Sequence, residues 1–405
     1  MVATTPAATS PRSNPGSQSA LRRQNQQRLV EALLAGPSTQ AELARQTGLS
    51  TATVSNIVKS MQDAGLVTTE PTTSSGRRAL NVHLDSRGAV AIGVDFGRRH
   101  LRVVLASLDF QVLAEEAVIL PAGHQAEDGI AAAVEVVDRL LAGSSIRRSA
   151  VVGAGVGIPG PIDRRNGTVA QGAILPEWVG IDILARLEEA FQLPVYVDND
   201  ANLGALAEVT WGPHTGAEHL MFVKIGTGIG AGLVINGSTY YGNIGITGEI
   251  GHAPALEHGP VCRCGNRGCL ETVASTTVMI ALLAQSADPP STAGDIVVLG
   301  AAGDSATLRV VDDAGVAVGR TLGNVANLIN PSVIVVGGPL AGLGEELLGP
   351  IRRGLLRHAV PVVGESTELA MSALGDRAEA LGAAALAFQH AGLGLSAPRI
   401  DRPPH

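Results

Sequence analysis

Leu21, Val30, Leu33 and Leu34 recur at helical spacing in LRRQNQQRLVEALLAG, and the run stops at Gly36-Pro37. In STQAELARQTGLS, Ser38 or Thr39 is placed to cap a short helix carrying Leu43 and Ala44, and Gly48 makes the turn. A third helix is predicted from Ser50, a good N-cap. Its apolar stripe is Val54, Ile57, Val58 and Met61, leaving Thr51, Thr53, Ser55, Asn56 and Lys59 outside. After Gly65, LVTTEPTTSSGRRALNVHLD reads as two strands joined by a Ser/Gly-rich loop bearing Arg77 and Arg78. From residue 88 the pattern changes. Short Val/Ile-rich runs alternate with Ala/Leu-rich helical stretches, the alternation expected of an α/β architecture.

Helix, short helix, glycine turn and a helix with a small polar N-terminus is the order of a helix-turn-helix, and the two strands add a wing. Ser50, Thr51, Thr53, Ser55, Asn56 and Lys59 are the candidate contacts to base edges or phosphates. Arg77 and Arg78 suit phosphate or a narrow minor groove. A small helical domain with ordinary surface arginines is the alternative; helix order, turn glycine and wing agree on DNA binding. The stretch resembles the winged helix-turn-helix of bacterial repressors. Charge points the same way. The net charge is −8, yet residues 1–85 carry eight Lys/Arg against five Asp/Glu, so the acidic excess lies in the remainder.

The expected divisions are a disordered Ser/Pro/Ala tail over 1–20, a winged helix-turn-helix over 21–86, a two-lobed domain over 88–390 and a flexible tail over 391–405. No apolar run reaches the ~20 residues of a membrane span. The N-terminus has no apolar signal core, so a cytoplasmic protein without membrane contact is expected. Fifty glycines and few aromatics imply tight turns and a core of Ala, Val, Leu and Ile.

Two stretches of the body share a shape. AIGVDFGRRHLRVVLASLD (91–109) and LMFVKIGTGIGAGLVINGS (220–238) each read strand, glycine-containing turn, strand, and about 130 residues separate them, which predicts two similar lobes. Glycine turns of this kind expose backbone N–H groups that wrap phosphates. Between them, LPVYVDNDANLGALAE runs a strand into Asp198-Asn199-Asp200 and then a helix. A carboxylate at a strand end facing a cleft can take a hydroxyl proton, and Asn199 can donate to and accept from sugar hydroxyls. The same three residues also read as a helix cap with a turn.

All the cysteines, Cys262, Cys264 and Cys269, fall in VCRCGNRGCLE. Three neighbouring thiols cannot all pair with one another, so a metal is the better reading than a disulfide framework. His252, in GNIGITGEIGHAP, supplies a fourth ligand and makes H-x9-C-x-C-x4-C. Four protein ligands leave no open position, so a zinc ion there is structural. It pins a loop, and Glu271 just beyond it, into the cleft.

GVGIPGPID, DNDAN, GTGIGAG, GEIGH and CRCGNRGCLE, in that order, resemble the ROK family of repressors, open reading frames and kinases, over residues 91 to about 390. The resemblance implies a winged helix-turn-helix followed by a two-lobed actin-like ATPase or sugar-kinase-like domain. It implies a sugar between the lobes and assembly as a homodimer or homotetramer. Sugar contacts are then expected from Gly160, Asn199, Asp200, Glu249, His252 and Glu271, with Asp200 matching the family's catalytic base. Asp95, Gly97, Gly226, Thr227 and Gly228 match its phosphate loops, and Gly337 and Gly338 an adenosine-side segment.

One departure matters for function. The family's kinases carry an Asp-x-Gly-Gly-Thr-Lys-like first phosphate loop; here Arg98 and Arg99 follow Gly97. Bulky side chains there are expected to occlude the pocket and disfavour the turn, which would leave Asp200 vestigial as a base, although arginines could also contact a phosphate directly. Ile174 stands where sugar-kinase relatives tend to have Asn. The leading expectation is therefore a sugar-responsive transcription factor of carbohydrate metabolism, not an enzyme. It would read a palindromic operator and respond to a sugar or sugar phosphate. An ATP-dependent hexose kinase with a DNA-binding head is the alternative, and a DNA-tethered zinc scaffold without a small ligand is a third reading.

Overall fold

The computed structural model describes residues 18–74, 77–85, 87–163, 168–169 and 174–393. Helix α1 (Gln18–Leu34) begins inside the segment expected as tail; residues 1–17 and 394–405 of the two expected tails lie outside the described residues. Thr39 caps α2 (Gln40–Thr47) in a reciprocal box with Glu42, and Gly48 ends it in the left-handed region at φ 69°. Ser50 caps α3 (Thr51–Asp63), accepting from the Thr53 N–H at 3.1 Å. The stripe Val54, Ile57, Val58 and Met61 is buried, as its spacing required. β2 (Val67–Ser74) and β3 (Arg77–Leu84) form the antiparallel wing. β1 (Ser38–Thr39) joins the far side of β3, so of the two cap candidates Thr39 is both strand and cap and Ser38 is strand alone.

The body holds two five-stranded sheets of the same topology. The first orders β10 (Val195–Asn199), β7 (Val151–Ile158), β4 (Val90–Phe96), β5 (His100–Ser107) and β6 (Val112–Ile119). The second orders β15 (Glu368–Met371), β14 (Val333–Gly337), β11 (Leu220–Ile225), β12 (Ile229–Ile235) and β13 (Ser238–Thr239). In each, the central strand pairs parallel with one neighbour and antiparallel with the next. The two hairpins anticipated from the glycine turns are the corresponding halves of these sheets. A short pair, β8 (Ile162–Asp163) and β9 (Thr168–Val169), stands beside the first sheet.

Helices α4 (Ala126–Ser144) and α5 (Ile183–Phe191) pack on the first lobe, where Phe96, Trp178 and Phe191 are fully buried. The second lobe carries α7 (Glu271–Ala274), α8 (Thr276–Leu282), α9 (Ala293–Ala301), α10 (Ser305–Ile329), α11 (Glu345–His358) and α12 (Pro361–Ser366). Between the sheets lie α6 (Asp200–Thr210) and α13 (Ala378–His390), packed on each other, on β4 and β7, and on β11 and β12. Both are buried around nearly their whole circumference, as helices inside a core must be. Their backbones approach closely: a Cβ at Gly382 would lie 1.8 Å from the Leu203 carbonyl oxygen, and one at Gly155 of β7 equally close to that of Ala383. Neither carbonyl can move without its helix. Gly382→Ala is expected to destabilise the body by about 1–3 kcal/mol, read by urea denaturation.

Candidate functional site

A cavity of about 730 Å³ opens between the lobes. Asp95, Gly97, Gly160, Asn199, Asp200, Gly226, Thr227, Gly228, Glu249, His252 and Glu271 all line it, so the candidates scattered along the sequence converge on one cleft. Gly338 lines it too, whereas Gly337 does not; a Cβ there would press on the Phe222 ring at 2.4 Å, which makes Gly337 a packing residue. Of the two sequence readings of Asn199, the structure shows the helix cap. Its side chain caps α6 through Oδ1, and its Nδ2 donates to the Gly160 carbonyl at 2.8 Å, which ties β10 to the GVGIPGPID turn.

The carboxylate of Asp200 is not free. Its Oδ2 accepts from Lys224 Nζ at 2.9 Å, and that ammonium also lies 3.0 Å from Glu379 Oε1. Burial disfavours the charge on Lys224, but Asp200, Glu379 and Asp95 outweigh it and hold its pKa well above the usual value. Burial raises Glu379, with Lys224 offsetting part of that rise. Asp95 is bound by His100 Nε2 at 3.0 Å. Burial opposes its ionisation, yet Lys224 and His100 keep it below the ordinary carboxylate range. Sequence reasoning missed Lys224, Glu379 and His100 as site residues. A lone lysine in the apolar run LMFVKI was a readable signal; Glu379, inside an Ala-rich helix, carried none.

The first phosphate loop differs from its expectation in one respect. Neither Arg98 nor Arg99 takes a positive φ, and both are exposed at the cavity wall, so they line the phosphate end without sealing it. The residue that folds over the loop is His100. A Cβ at Gly97 would lie 2.0 Å from its ring, so Gly97 is required for the ring to reach Asp95. The second loop is a tight turn, with the Gly226 N–H donating to the Gly228 carbonyl at 2.9 Å.

At the other end of the cleft, the loop carrying Glu249 and His252 lies against β12. The Ala231 N–H donates to the Gly248 carbonyl at 2.8 Å, and a Cβ at Gly248 would be 1.7 Å from the Ala231 carbonyl oxygen. Burial, then Asp200 and Glu271, push Glu249 up to about 7. Arg263 clamps Glu271 with both Nε and Nη2, and this guanidinium, with His252, outweighs burial and holds Glu271 below the usual range. Arg263 too was absent from the sequence reading.

His252, Cys262, Cys264 and Cys269 bring one ligand atom each to within 4.8 Å of one another. Cys264 Sγ and Cys269 Sγ are 3.7 Å apart, and Cys262 Sγ lies 3.5 Å from His252 Nδ1. A tetrahedron with metal–sulfur bonds of about 2.3 Å and metal–nitrogen bonds of about 2.0 Å has edges of about 3.8 and 3.5 Å. The residues fit a metal. In His252 the Nδ1 atom faces the cysteines and also lies 3.5 Å from Glu271 Oε1, while Nε2 lies 3.6 Å from Glu249 Oε2.

The ROK family profile matches residues 91–390, and the MarR family profile matches residues 22–78. This chain belongs to the ROK family. The xylose repressor of Bacillus spizizenii is 29% identical over 381 residues, covering 92% of this chain and 97% of the repressor. The glucokinase of Thermotoga maritima is 31% identical over 315 residues, covering 74% of this chain and 98% of the glucokinase. A solved ROK family transcriptional regulator, a homolog of the E. coli MLC protein, has a TM-score of 0.77 at 26% identity and covers 93% of this chain and 98% of its own. The repressor-type relatives therefore span head and body of this ROK chain.

Of the candidate DNA contacts, Ser50, Thr51, Ser55, Asn56 and Lys59 are exposed and Thr53 is half-buried. The Ser50 hydroxyl lies 2.8 Å from that of Thr53 within the cap, which engages both. The backbone of Arg77 and Arg78 opens β3; their side chains, and residues 75–76 at the wing tip, lie outside the described residues. Among the described residues, no helix is long and apolar enough to cross a membrane. The metal cluster makes a direct prediction. Wild-type protein is expected to hold one metal ion per chain by plasma emission analysis, and Cys264→Ser with Cys269→Ser none; metal retained in the double variant would remove the site.

Proposed function

We propose that this chain is a sugar-responsive DNA-binding transcriptional regulator, a repressor of carbohydrate metabolism genes. One observation carries this reading: a winged helix and a sugar-kinase-type cleft stand in one chain, and the xylose repressor match covers 92% of it where the glucokinase match covers 74%. The sugar would sit between the lobes, its hydroxyls held by Gly160, Asn199, Asp200, Glu249, His252 Nε2 and Glu271. These groups come from both lobes, so a bound sugar favours one degree of closure. The path to the head is short. β4 runs from Val90, just past the head, to Asp95 in the cleft, and a Cβ at Gly88 would lie 1.7 Å from the Gly65 carbonyl oxygen. A shift of β4 therefore bears on the base of the wing. Two heads of a homodimer would read a palindromic operator, and closure would alter their spacing.

The metal is read as structural zinc. Its ligands must be thiolates and a neutral imidazole, so loading removes the proton that Cys262 donates to Glu271 Oε1 at 2.9 Å. That oxygen keeps its bond from Arg263 Nε at 3.0 Å and has one acceptor position opened toward a sugar hydroxyl. Zinc itself supplies no chemistry here beyond holding the loop. An ATP-dependent hexose kinase is the second reading, favoured by the intact Gly226-Thr227-Gly228 turn. A coupled assay showing sugar-dependent ADP release, abolished by Asp200→Asn, would establish it.

The regulator reading is tested by fluorescence anisotropy on genomic DNA fragments enriched by the purified protein. Arg77→Ala with Arg78→Ala is expected to weaken binding and reduce the log–log salt slope by about 2, the release expected of two phosphate contacts. A panel of hexoses, pentoses and amino sugars should contain one that changes wild-type affinity about tenfold, with no response in Glu249→Ala or Glu271→Ala. No response to any sugar of the panel would reject the proposal.

A further inference from the structure

Arg263 stands between two of the four candidate metal ligands, Cys262 and Cys264, and its side chain leaves that loop for the wall of the cleft. The guanidinium grips Glu271 at both oxygens, Nε to Oε1 at 3.0 Å and Nη2 to Oε2. A two-point bond of this kind fixes the direction of a carboxylate as well as its distance. The other side of the fork is packed. A Cβ at Gly228 would lie 2.8 Å from Arg263 Nη2, 2.9 Å from Ile174 Cδ1 and 3.4 Å from Glu271 Oε2, so the second glycine turn and an apolar residue of the first lobe close around it. Glu271 itself is buried in the first turn of α7. Its remaining polar neighbours are both candidate ligands: Oε1 lies 2.9 Å from Cys262 Sγ and 3.5 Å from His252 Nδ1.

We propose that Arg263 is a positioning residue of the sugar site: it converts metal occupancy of the cysteine loop into the orientation of Glu271, so that metal and sugar bind cooperatively through it. This inference rests on the sugar-binding reading of the same cleft and adds a second input to it. With the tetrad loaded, three thiolates outnumber the charges of a divalent ion by one, and Cys262 no longer donates to Glu271. A thiolate and a carboxylate at that separation repel. His252 is neutral as a ligand, so Arg263 is the one cation left within ion-pair distance of Glu271 among the described residues. It offsets the repulsion and keeps the carboxylate turned into the cleft. The ligands on either side anchor the backbone of Arg263, and the fork carries that anchorage to Glu271. Without metal the fork loses its fixed origin; without Arg263 a loaded tetrad drives Glu271 from the wall. Linkage follows: the sugar must tighten metal binding by the same factor by which metal tightens sugar binding.

The test is a calorimetric titration of the full chain, zinc-loaded and zinc-stripped, with the hexoses, pentoses and amino sugars of the panel as probes. Zinc is expected to tighten the responding sugar about tenfold or more in wild type and less than about twofold in Arg263→Gln. The zinc-loaded variant should bind that sugar no better than stripped wild type does. The reciprocal is read by competition for zinc with a chromogenic chelator: the sugar should tighten zinc by the same factor in wild type and leave Arg263→Gln unchanged. One zinc per chain in Arg263→Gln, by plasma emission, separates lost coupling from a lost metal site. Gly228→Ala is measured beside it, because its Cβ presses on the far end of the fork and leaves every candidate ligand in place. It should lose the coupling as well. Equal tightening by zinc in wild type and both variants would overturn the proposal, and so would a wild type whose sugar affinity ignores zinc. Either result, with sugar bound, leaves the regulator reading standing; a panel in which no sugar binds wild type rejects both.

Discussion

The close packing of α6 against α13 is the constraint on which the rest of the molecule depends. Two sheets of equal topology have no reason to form one cleft unless something shared is buried between them, and these two helices are that shared layer. Glycine at positions such as 155 and 382 lets carbonyls and Cα atoms approach to distances that any side chain would prevent. Because both helices begin at the cleft, their first turns deliver Asp200 and Glu379 to its floor. The site chemistry is therefore a consequence of how the interlobe layer is packed.

That delivery creates an electrostatic problem and determines its solution. Carboxylates at two helix starts and one strand end meet in a place with little water, and a lysine from the opposing lobe enters among them. Charge of one sign buried without its partner is strongly destabilising, of the order of 3–5 kcal/mol when a buried pair is broken. Lys224 is thus a structural necessity as long as Asp95, Asp200 and Glu379 remain. His100 Nε2 lies 3.0 Å from Asp95 Oδ2, and glycine at 97 leaves room for its ring.

At the opposite end the cleft is organised by ligand geometry. Glu249, His252 and Glu271 occupy loop and short-helix positions with few backbone bonds of their own. The His and cysteine tetrad fastens this loop to the segment that opens α7. The imidazole links the two groups, with one nitrogen toward the thiols and the other toward Glu249. A cleft wall built on loops would gain rigidity from a metal ion held by these four residues without adding to the core.

Local patterns were sufficient for much of this. Capping residues, turn glycines and the Val54–Met61 stripe specified the winged head from sequence, because helix starts, stops and buried faces are encoded within a few residues of one another. The paired hairpins and the H-x9-C-x-C-x4-C spacing were equally legible, since a hairpin and a metal loop are short-range objects. A family resemblance, rather than any period, points to Gly160, Asn199, Asp200, Glu249, His252 and Glu271 as one site, and all six line the cleft. Tertiary structure alone decided the rest. Glu379 is almost 180 residues from Asp200 by numbering, and only the α6–α13 packing places them around one ammonium. Arg263 on Glu271, and the folding of His100 over Gly97, likewise depend on side-chain directions that no local pattern encodes. Sequence determined which elements form and which residue types reach the cleft; burial and charge pairing between distant elements determined which of those residues are free to bind and which are already held.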